Sequence, residues 1–387
     1  MRLAGCELRR VRLPLVAPFE TSYGVETCRD ALLVRVVGRG DDGDEVEGWG
    51  ECVAMAAPSY TAEYVDGAAE VLRRFLLPAL GAAGHGVGAA DVATLLAPVK
   101  GHPMAKAALE MAVLDAECRL AGRSLASYLG ASRSAVPAGV SVGIVSPIGA
   151  LLDAVEAYLE EGYLRVKLKV RPGWDTEPLR AVRERWPDVV LQVDANGAYV
   201  PGDLGRLRAL DAFGLTMIEQ PLAEDDLAGH VHLAAALRTP ICLDESITSA
   251  RAAAEAIAMG ACSVVNLKAG RVGGYLEAVR VHDACVRSGA GLWCGGMLET
   301  GLGRAANVAL AGLPGFTLPG DVSASGRYFV RDIAGPFVLE EGHLAVPTGP
   351  GLGVEILPDI LAEATSSVEW VPFPAGLGRG APVTRGG

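Results

Sequence analysis

Three carboxylates recur at a constant interval near the centre of the chain. Asp194 ends the run LQVD, Glu219 ends TMIE and Asp244 ends CLD, so neighbouring acids are 25 residues apart. Each acid follows an apolar run of the kind that forms a buried strand. A single acid after a strand is usually a helix cap. Three oxygen ligands from three strands suit Mg²⁺, however, so the set predicts a metal site completed by water and substrate.

Three lysines flank this row of acids. Lys167 and Lys169 lie in the run RVKLKV, and residues two apart on a strand point to the same face. In a closed barrel the face that helices do not cover is the interior, so both ammonium groups are expected near the metal. Lys268 ends the run VVNLK, one strand beyond Asp244. The predicted order around the mouth is two lysines, three acids and one lysine.

This arrangement suits proton transfer at a carbon next to a carboxylate. Removing such a proton creates a doubly charged enediolate, which needs a divalent cation on its oxygens and a base with a pKa near neutrality. Neighbouring cations lower the pKa of a lysine. We therefore expect repulsion between Lys167 and Lys169, with Mg²⁺ nearby, to supply the base, and Lys268 to serve the opposite face of the carbon.

The elements that must position these side chains repeat with nearly one period. From residue 136 onward, short apolar or β-branched runs alternate with helical segments, which is typical of strand-helix units around a parallel sheet. Eight such runs end 24 to 27 residues apart, at Gly143, Lys169, Asp194, Glu219, Asp244, Lys268, Gly295 and Pro319. The pattern predicts an α/β fold, a (β/α)₈ barrel whose strands meet at one mouth by their carboxyl ends.

The rest of the chain is expected to cap this barrel. Alternating apolar and polar residues predict antiparallel strands in residues 1–60, and helical spacing follows in residues 61–125. The predicted organisation is an N-terminal α+β capping domain (1–129), the barrel (130–335), a C-terminal segment that returns to the cap (336–370) and a flexible Gly/Pro-rich tail (371–387).

Composition excludes several classes of protein. Half of the 387 residues are apolar, so a large core is expected and a natively unfolded chain is excluded. The net charge of −12 repels phosphate backbones and anionic bilayers, which argues against nucleic-acid and membrane partners. The most apolar stretch, residues 76–99, contains Pro78, Asp91 and several glycines, so it is not expected to span a membrane.

The N-terminus and the cysteines indicate the cellular compartment. Glu7, Arg9, Arg10 and Arg12 interrupt the apolar run that a secretion signal would need. The eight cysteines are scattered without a CxxC pair, which indicates reduced core thiols rather than a disulfide framework. We therefore expect a cytoplasmic protein.

Taken together, these motifs show that the sequence resembles the enolase superfamily, in its muconate-lactonizing subgroup and, within that subgroup, the o-succinylbenzoate synthase / N-acylamino acid racemase family. The resemblance covers nearly the whole chain. It rests on PFETSYG at 18–24, GWGE at 48–51, KLK at 167–169, DAN at 194–196, EQP at 219–221, DES at 244–246 and Lys268, in this order. It implies a homo-oligomer, dimeric or octameric, that acts on a small-molecule carboxylate with Mg²⁺, for which Mn²⁺ can substitute.

The resemblance assigns roles to the six charged residues of the mouth. It implies that Asp194, Glu219 and Asp244 are the Mg²⁺ ligands. Lys169 and Lys268 would be the acid/base pair, and Lys167 would give electrostatic support. It also implies that Asn196 and Glu245 lie beside the metal ligands, with Asn196 near the substrate. Arg271, in KAGRVGG, matches a position that racemase-active members carry, and the resemblance implies that it lies at the substrate.

The substrate pocket is expected to have a floor, a loop and a lid. Ser141 lies two residues before the end of the first barrel strand and could reach the substrate from the floor. The GGMLETG segment after the seventh strand resembles the family's pocket-lining loop, which would contribute Gly295, Gly296, Met297 and Glu299. The cap would supply a mostly apolar lid, formed by Phe19, Tyr23, Trp49 and Val53.

The resemblance favours one reaction and leaves others open. The leading hypothesis is Mg²⁺-dependent dehydration of 2-succinyl-6-hydroxy-2,4-cyclohexadiene-1-carboxylate to 2-succinylbenzoate, a step of menaquinone biosynthesis. Racemisation of N-succinyl or other N-acylamino acids would accompany or replace it. Muconate cycloisomerisation is less compatible with the lid sequence. Dipeptide epimerases carry Asp-x-Asp at the eighth strand, whereas this chain has Asp321 and Ser323 there.

Two hypotheses come from other classes. Barrel aldolases use one lysine as a Schiff-base nucleophile, which borohydride would trap as a covalent adduct. The second hypothesis is a barrel that binds a ligand without catalysing a reaction. Retention of all six charged residues of the mouth argues against this hypothesis.

Overall fold

The computed structural model describes residues 1–84 and 86–373. Its cap is built on four antiparallel strands, β1 (Arg2–Thr21), β2 (Gly24–Arg39), β3 (Glu45–Cys52) and, at the end of the chain, β13 (Thr365–Pro372). Their order in the sheet is β13-β1-β2-β3, so the C-terminal strand completes the cap. Most of the tail predicted for residues 371–387 lies outside the described residues.

Helices connect this sheet to the rest of the molecule. They are α1 (Val65–Val71), a π-helical turn (Leu72–Leu76), α2 (Leu77–Gly81), α3 (Ala89–Leu96), α4 (Pro103–Leu120) and α5 (Leu125–Leu129). Helix α4 is buried along most of its length and lies against β3. Gly48 and Gly50 permit this approach, because a Cβ atom at either would come within 2.1 Å of a carbonyl oxygen of α4.

Seven parallel strands form the barrel sheet of the described residues, and they are neighbours in chain order. They are β5 (Gly139–Val142), β6 (Arg165–Lys169), β7 (Leu191–Asp194), β8 (Ile218–Glu219), β9 (Ile241–Leu243), β10 (Val264–Leu267) and β11 (Gly291–Cys294). Their burial is nearly complete, as expected for parallel strands covered by helices. The predicted barrel with a capping domain is confirmed.

Helices follow the strands around the outside of the barrel. They are α6 (Ile148–Glu160), α7 (Thr176–Arg185), α8 (Leu204–Leu210), α9 (Leu227–Ala236), α10 (Ala250–Ala258), α11 (Ala269–Val272), α12 (Tyr275–Ser288) and α13 (Gly301–Ala311). Short 3₁₀ turns occupy Pro201–Asp203, Asp211–Phe213 and Ser325–Arg327. A two-stranded sheet, β4 (Ala135–Pro137) with β12 (His343–Ala345), and helix α14 (Pro358–Ala364) complete the fold.

The eighth barrel position is irregular, in contrast to the regular strand expected to end at Pro319. The backbone there still bridges the two edge strands: Gly139 N donates to Gly320 O at 2.7 Å, and Asp321 N donates to Cys294 O at 2.9 Å. Proline has no N–H to give to a ladder, which is why the segment closes the barrel without forming a regular strand.

Two further expectations concern the whole molecule. None of the helices in residues 1–84 and 86–373 combines the length and the apolarity that a bilayer crossing requires. All eight cysteines are free, and all but Cys28 are buried, as predicted for core thiols.

Candidate active site

The predicted lysines and acids meet at the mouth of the barrel. Parallel pairing places Lys169 opposite Asp194 and Asp194 opposite Glu219, so β6, β7 and β8 end at the same level. Asp244 directly follows β9, and Lys268 directly follows β10. The side chains are buried because the cap covers the mouth. Lys169 and Lys268 thus lie at the two ends of the row of acids.

Lys167 lies among the carboxylates. Its Nζ atom is 2.7 Å from Asp321 Oδ2, 3.0 Å from Glu219 Oε2 and 3.4 Å from Asp194 Oδ2. The ring of Trp293 lies 4.6 Å from the same ammonium group. Burial alone would lower the pKa of Lys167, but the three carboxylates raise it well above its ordinary value. Lys167 is therefore a fixed positive charge rather than a base.

Lys169 is held from two directions. Its Nζ atom donates to Asp194 Oδ2 at 2.6 Å and to Asn196 Oδ1 at 2.7 Å. Asn196 in turn donates through Nδ2 to Glu245 Oε1 at 2.9 Å. Burial favours the neutral amine, but the charge of Asp194 outweighs burial and raises the pKa of Lys169 above its ordinary value. The lowered lysine pKa expected from the sequence is thus absent while Asp194 keeps its full charge.

Lys268 has a different set of partners across the mouth. Its Nζ atom donates to Asp244 Oδ2 at 2.9 Å and to the hydroxyl of Tyr60 at 2.8 Å. Arg271 donates to the backbone oxygen of Asp244 at 2.6 Å, and also to Asp244 Oδ1 and to the Tyr60 hydroxyl. Arg271 was predicted at the substrate; the structure instead places its guanidinium behind Asp244 and Tyr60.

The acids are strongly coupled to these cations. Burial opposes ionisation, yet Lys169 and Lys167 hold the pKa of Asp194 below its ordinary value. Burial also opposes ionisation of Asp244, but Arg271 and Lys268 outweigh it and lower the pKa of this carboxyl. Burial and the charge of Asp194 raise the pKa of Glu219 to about 8. Of the three acids, Glu219 therefore holds its proton most readily.

The donor set fits Mg²⁺ in chemistry. Every carboxylate oxygen of the three acids has a hydrogen-bond or ion-pair partner, among them Asn266, which donates to Glu219 Oε1 at 2.6 Å. Among the described residues no three Asp, Glu, His or Cys side chains are arranged to hold a metal ion; the ammonium group of Lys167 lies among the carboxylate oxygens instead. Asp194, Glu219 and Asp244 would hold the cation once they turned from the ammonium groups toward it.

A cavity of about 40 Å³ lies above the lysines. Nine of the predicted site residues line it, the three lysines among them: Phe19, Tyr23, Ser141, Lys167, Lys169, Asn196, Lys268, Gly296 and Met297. The hydroxyl of Ser141 is buried without a hydrogen-bond partner. The rings of Tyr23 and Tyr60 are in contact, with centroids 5.1 Å apart, and close the cavity from the cap.

Four predicted pocket residues do not line this cavity. The indole of Trp49 donates to Glu47 Oε1 at 3.2 Å and lies under the guanidinium of Arg35. Val53 packs against Gly270, and Glu299 accepts a hydrogen bond from Asn307 at 2.9 Å. Gly295 is adjacent to the cavity wall, where a Cβ atom would lie 2.1 Å from Asn266 Oδ1.

For the two cap residues, Trp49 and Val53, the difference from the prediction has one cause. The motifs locate residues along the chain, but which of them reach the mouth depends on how the cap packs on the barrel. In strand β3, Gly48 and Gly50 face α4, so Trp49 points to the other face of the cap sheet, beside Arg35.

Sequence reasoning missed several residues that line the cavity: Glu26, Met55, Tyr60, Leu298, Asp321 and Tyr328. Asp321 had a signal, because it lies two residues beyond the predicted eighth strand end. Asn266 does not line the cavity, but it also had a sequence signal, because it lies two residues before Lys268 and therefore on the same face of the strand. Tyr60 lies in an irregular loop, where no periodic pattern marks a residue.

Comparison with known proteins identifies families and relatives to which the chain is similar. Residues 5–130 match the family model of the mandelate racemase / muconate lactonizing enzyme N-terminal domain, and residues 150–360 match that of the enolase C-terminal domain-like family. An N-succinylamino acid racemase of Amycolatopsis sp is 62% identical over 96% of this chain and 100% of its own length. An o-succinylbenzoate synthase of Geobacillus kaustophilus is 46% identical over 90% of this chain and 92% of its own.

A solved structure is also similar over the whole fold. The crystal structure of an enolase-superfamily member from Listeria innocua Clip11262 gives a TM-score of 0.91 at 39% sequence identity. The comparison covers 96% of this chain and 100% of that one.

Proposed function

Because the chain belongs to the enolase superfamily, we propose that this enzyme removes the α-proton of N-succinylamino acids and of 2-succinyl-6-hydroxy-2,4-cyclohexadiene-1-carboxylate. The first substrate would be racemised, and the second would lose water to give 2-succinylbenzoate. Both reactions begin with the same proton transfer, so one site can serve both. The names of the 62% and 46% identical relatives support the two activities.

The observation that carries this proposal is the placement of the two lysines. Lys169 and Lys268 lie on opposite sides of the mouth, with the three acids between them. A carbon between two such groups can lose a proton to one amine and receive a proton from the other ammonium on its opposite face. This exchange inverts the configuration, as racemisation requires.

Each lysine is positioned by its own partners. Asp194 and Asn196 fix Lys169, while Asp244 and Tyr60 fix Lys268. Mg²⁺ held by Asp194, Glu219 and Asp244 would supply positive charge for the substrate carboxylate and share the charge of the acids. Lys167, kept charged by its three carboxylate neighbours, adds a permanent positive potential to the same region.

The cap controls access to these groups. A cavity of about 40 Å³ holds little more than one water molecule. A succinylated substrate therefore requires the cap segments that contain Phe19, Tyr23 and Tyr60 to move away from the mouth. Their return would exclude water from the lysines during proton transfer.

The test is a paired assay on the purified protein with Mg²⁺. Racemisation of N-succinyl-L-phenylalanine is followed by polarimetry, and formation of 2-succinylbenzoate is followed by its ultraviolet absorbance. We expect both activities, and we expect EDTA and Lys169→Ala to abolish the dehydration. If neither reaction occurs in protein that binds Mg²⁺, the substrate assignment is wrong. Borohydride trapping of a covalent adduct would instead support the Schiff-base alternative.

A further inference from the structure

A second and much larger cavity, which we call the side cavity, lies beside the mouth between the cap and the barrel. Its volume is about 640 Å³, which is in the range of sites for small organic ligands. Its walls come from α3, from the start of α4 and from the segments that follow β9 and β10. Apolar side chains, among them Val92, Leu96 and Met104, cover much of the cap wall.

Three polar atoms without a hydrogen-bond partner belong to residues of this wall. They are Glu245 Oε2, Arg271 Nε and His102 Nδ1. Glu245 and Arg271 are only 8% and 4% exposed, and neither lines the mouth cavity. Their remaining polar atoms are already engaged with Asn196, Asp244 and Tyr60. Buried polar atoms normally have partners, so these three are available to a polar occupant of the cavity.

Three other charged groups of the wall, Glu63, Glu110 and Lys106, are engaged within the protein, and Glu224 is exposed at its rim. Glu63 accepts hydrogen bonds from the backbone N–H groups of Met104 and Ala105, both at 2.8 Å. Glu110 accepts from the backbone of Leu276, and Lys106 donates to the backbone oxygen of Val99. Glu245 Oε2 and Arg271 Nε are therefore the charged positions of this wall that are best placed to select an occupant.

We propose that the side cavity binds a small zwitterion with an apolar body, of the class of free α-amino acids with apolar side chains. The ammonium group of such a molecule donates to Glu245 Oε2, and its carboxylate accepts from Arg271 Nε, with His102 as a further polar partner. The apolar body packs on Leu96 and Met104. This site is distinct from the reaction proposed above and does not depend on it.

The wall offers a pair of matched variants on one helix. Ala93 is exposed, lies on α3 and lines the side cavity, so Ala93→Trp fills the space without disturbing the core. Ala90 is also exposed and lies one turn earlier on α3, but it does not line the cavity. Ala90→Trp therefore adds the same bulky side chain to the same helix as a control.

The experiment is calorimetric titration of the full chain in EDTA, which removes any metal-dependent binding at the mouth. The probes are L-phenylalanine, 3-phenylpropionate, which lacks the ammonium group, and phenethylamine, which lacks the carboxylate. We expect L-phenylalanine to bind the unmodified protein and Ala90→Trp equally, and Ala93→Trp at least about tenfold more weakly. Each single-charge analogue should bind about tenfold more weakly than the zwitterion, because one buried partner then stays unpaired.

Two results would show that the side cavity does not bind L-phenylalanine. One is absence of L-phenylalanine binding to the unmodified protein. The other is equal binding to Ala93→Trp and Ala90→Trp, which would place the ligand elsewhere. Equal affinity for the zwitterion and either analogue would likewise reject the roles of Glu245 and Arg271. Thermal unfolding of both variants shows that they are folded before they are titrated.

Discussion

Replacing Glu110 with Gln should stabilise the protein above neutral pH. Glu110 lies on α4, is 2% exposed and accepts a hydrogen bond from the backbone N–H of Leu276 at 3.0 Å. Burial raises the pKa of this carboxyl from 4.5 to about 7, because the backbone donor compensates only part of the lost hydration. The folded protein therefore binds this proton more tightly than the unfolded chain does.

The sign and size of the effect follow from linkage. An acid whose pKa is raised by folding contributes its stability below pH 4.5 and loses it as the pH rises through 7. At about 1.4 kcal/mol for each pKa unit, the unmodified protein should lose ~3 kcal/mol from this group by pH 8. A glutamine keeps the acceptor oxygen and carries no charge, so Glu110→Gln avoids that loss.

The assay is urea unfolding at pH 5 and pH 8 for the unmodified protein, Glu110→Gln and Glu184→Gln. Glu184 is exposed on α7 and serves as the control for loss of one negative charge. We expect the stability advantage of Glu110→Gln to grow by about 2 to 3 kcal/mol between the two pH values, and that of Glu184→Gln to stay constant. An advantage that does not change with pH would refute the reasoning.

Three further predictions concern the mouth. Glu51→Gln should raise KM more than it lowers kcat in steady-state assays, because Glu51 accepts hydrogen bonds from Thr300 and so anchors the end of the 295–300 loop. An unchanged KM would contradict this. Asn266→Leu should weaken Mg²⁺ binding about tenfold in a metal titration, since Glu219 loses its donor; unaltered affinity would count against that metal site. Tyr60→Phe should slow proton exchange on the β10 side of the mouth about tenfold, and equal slowing on both sides would argue against the contact.

The barrel could be predicted because its repeat has a nearly constant length. Each strand, helix and pair of loops occupies about 25 residues, so the strand ends could be located before any helix was delimited. The interval also located the closing segment at Pro319, but its irregular backbone was not predicted. Regular pairing there depends on N–H groups that Pro319 does not have, which a spacing argument does not consider.

Strand periodicity could predict the mouth residues on strands, whereas the loop residues Gly296 and Met297 were predicted only through the resemblance. Lys167 and Lys169 follow from the two-residue periodicity of β6, and the same rule would have found Asn266 beside Lys268. Tyr60 lies in an irregular segment and reaches Lys268 only because the cap packs on the barrel. Long-range packing of this kind has no local sequence signal.

The central claim is that Lys169 and Lys268 serve opposite faces of one carbon. The most direct test is ¹H NMR of α-proton exchange in D₂O, with N-succinyl-L-phenylalanine and its D-enantiomer supplied separately in the presence of Mg²⁺. The unmodified protein should exchange both enantiomers. Lys169→Ala and Lys268→Ala should each lose exchange with one enantiomer, and the two variants should lose opposite ones. Loss of exchange with the same enantiomer in both variants would contradict this assignment.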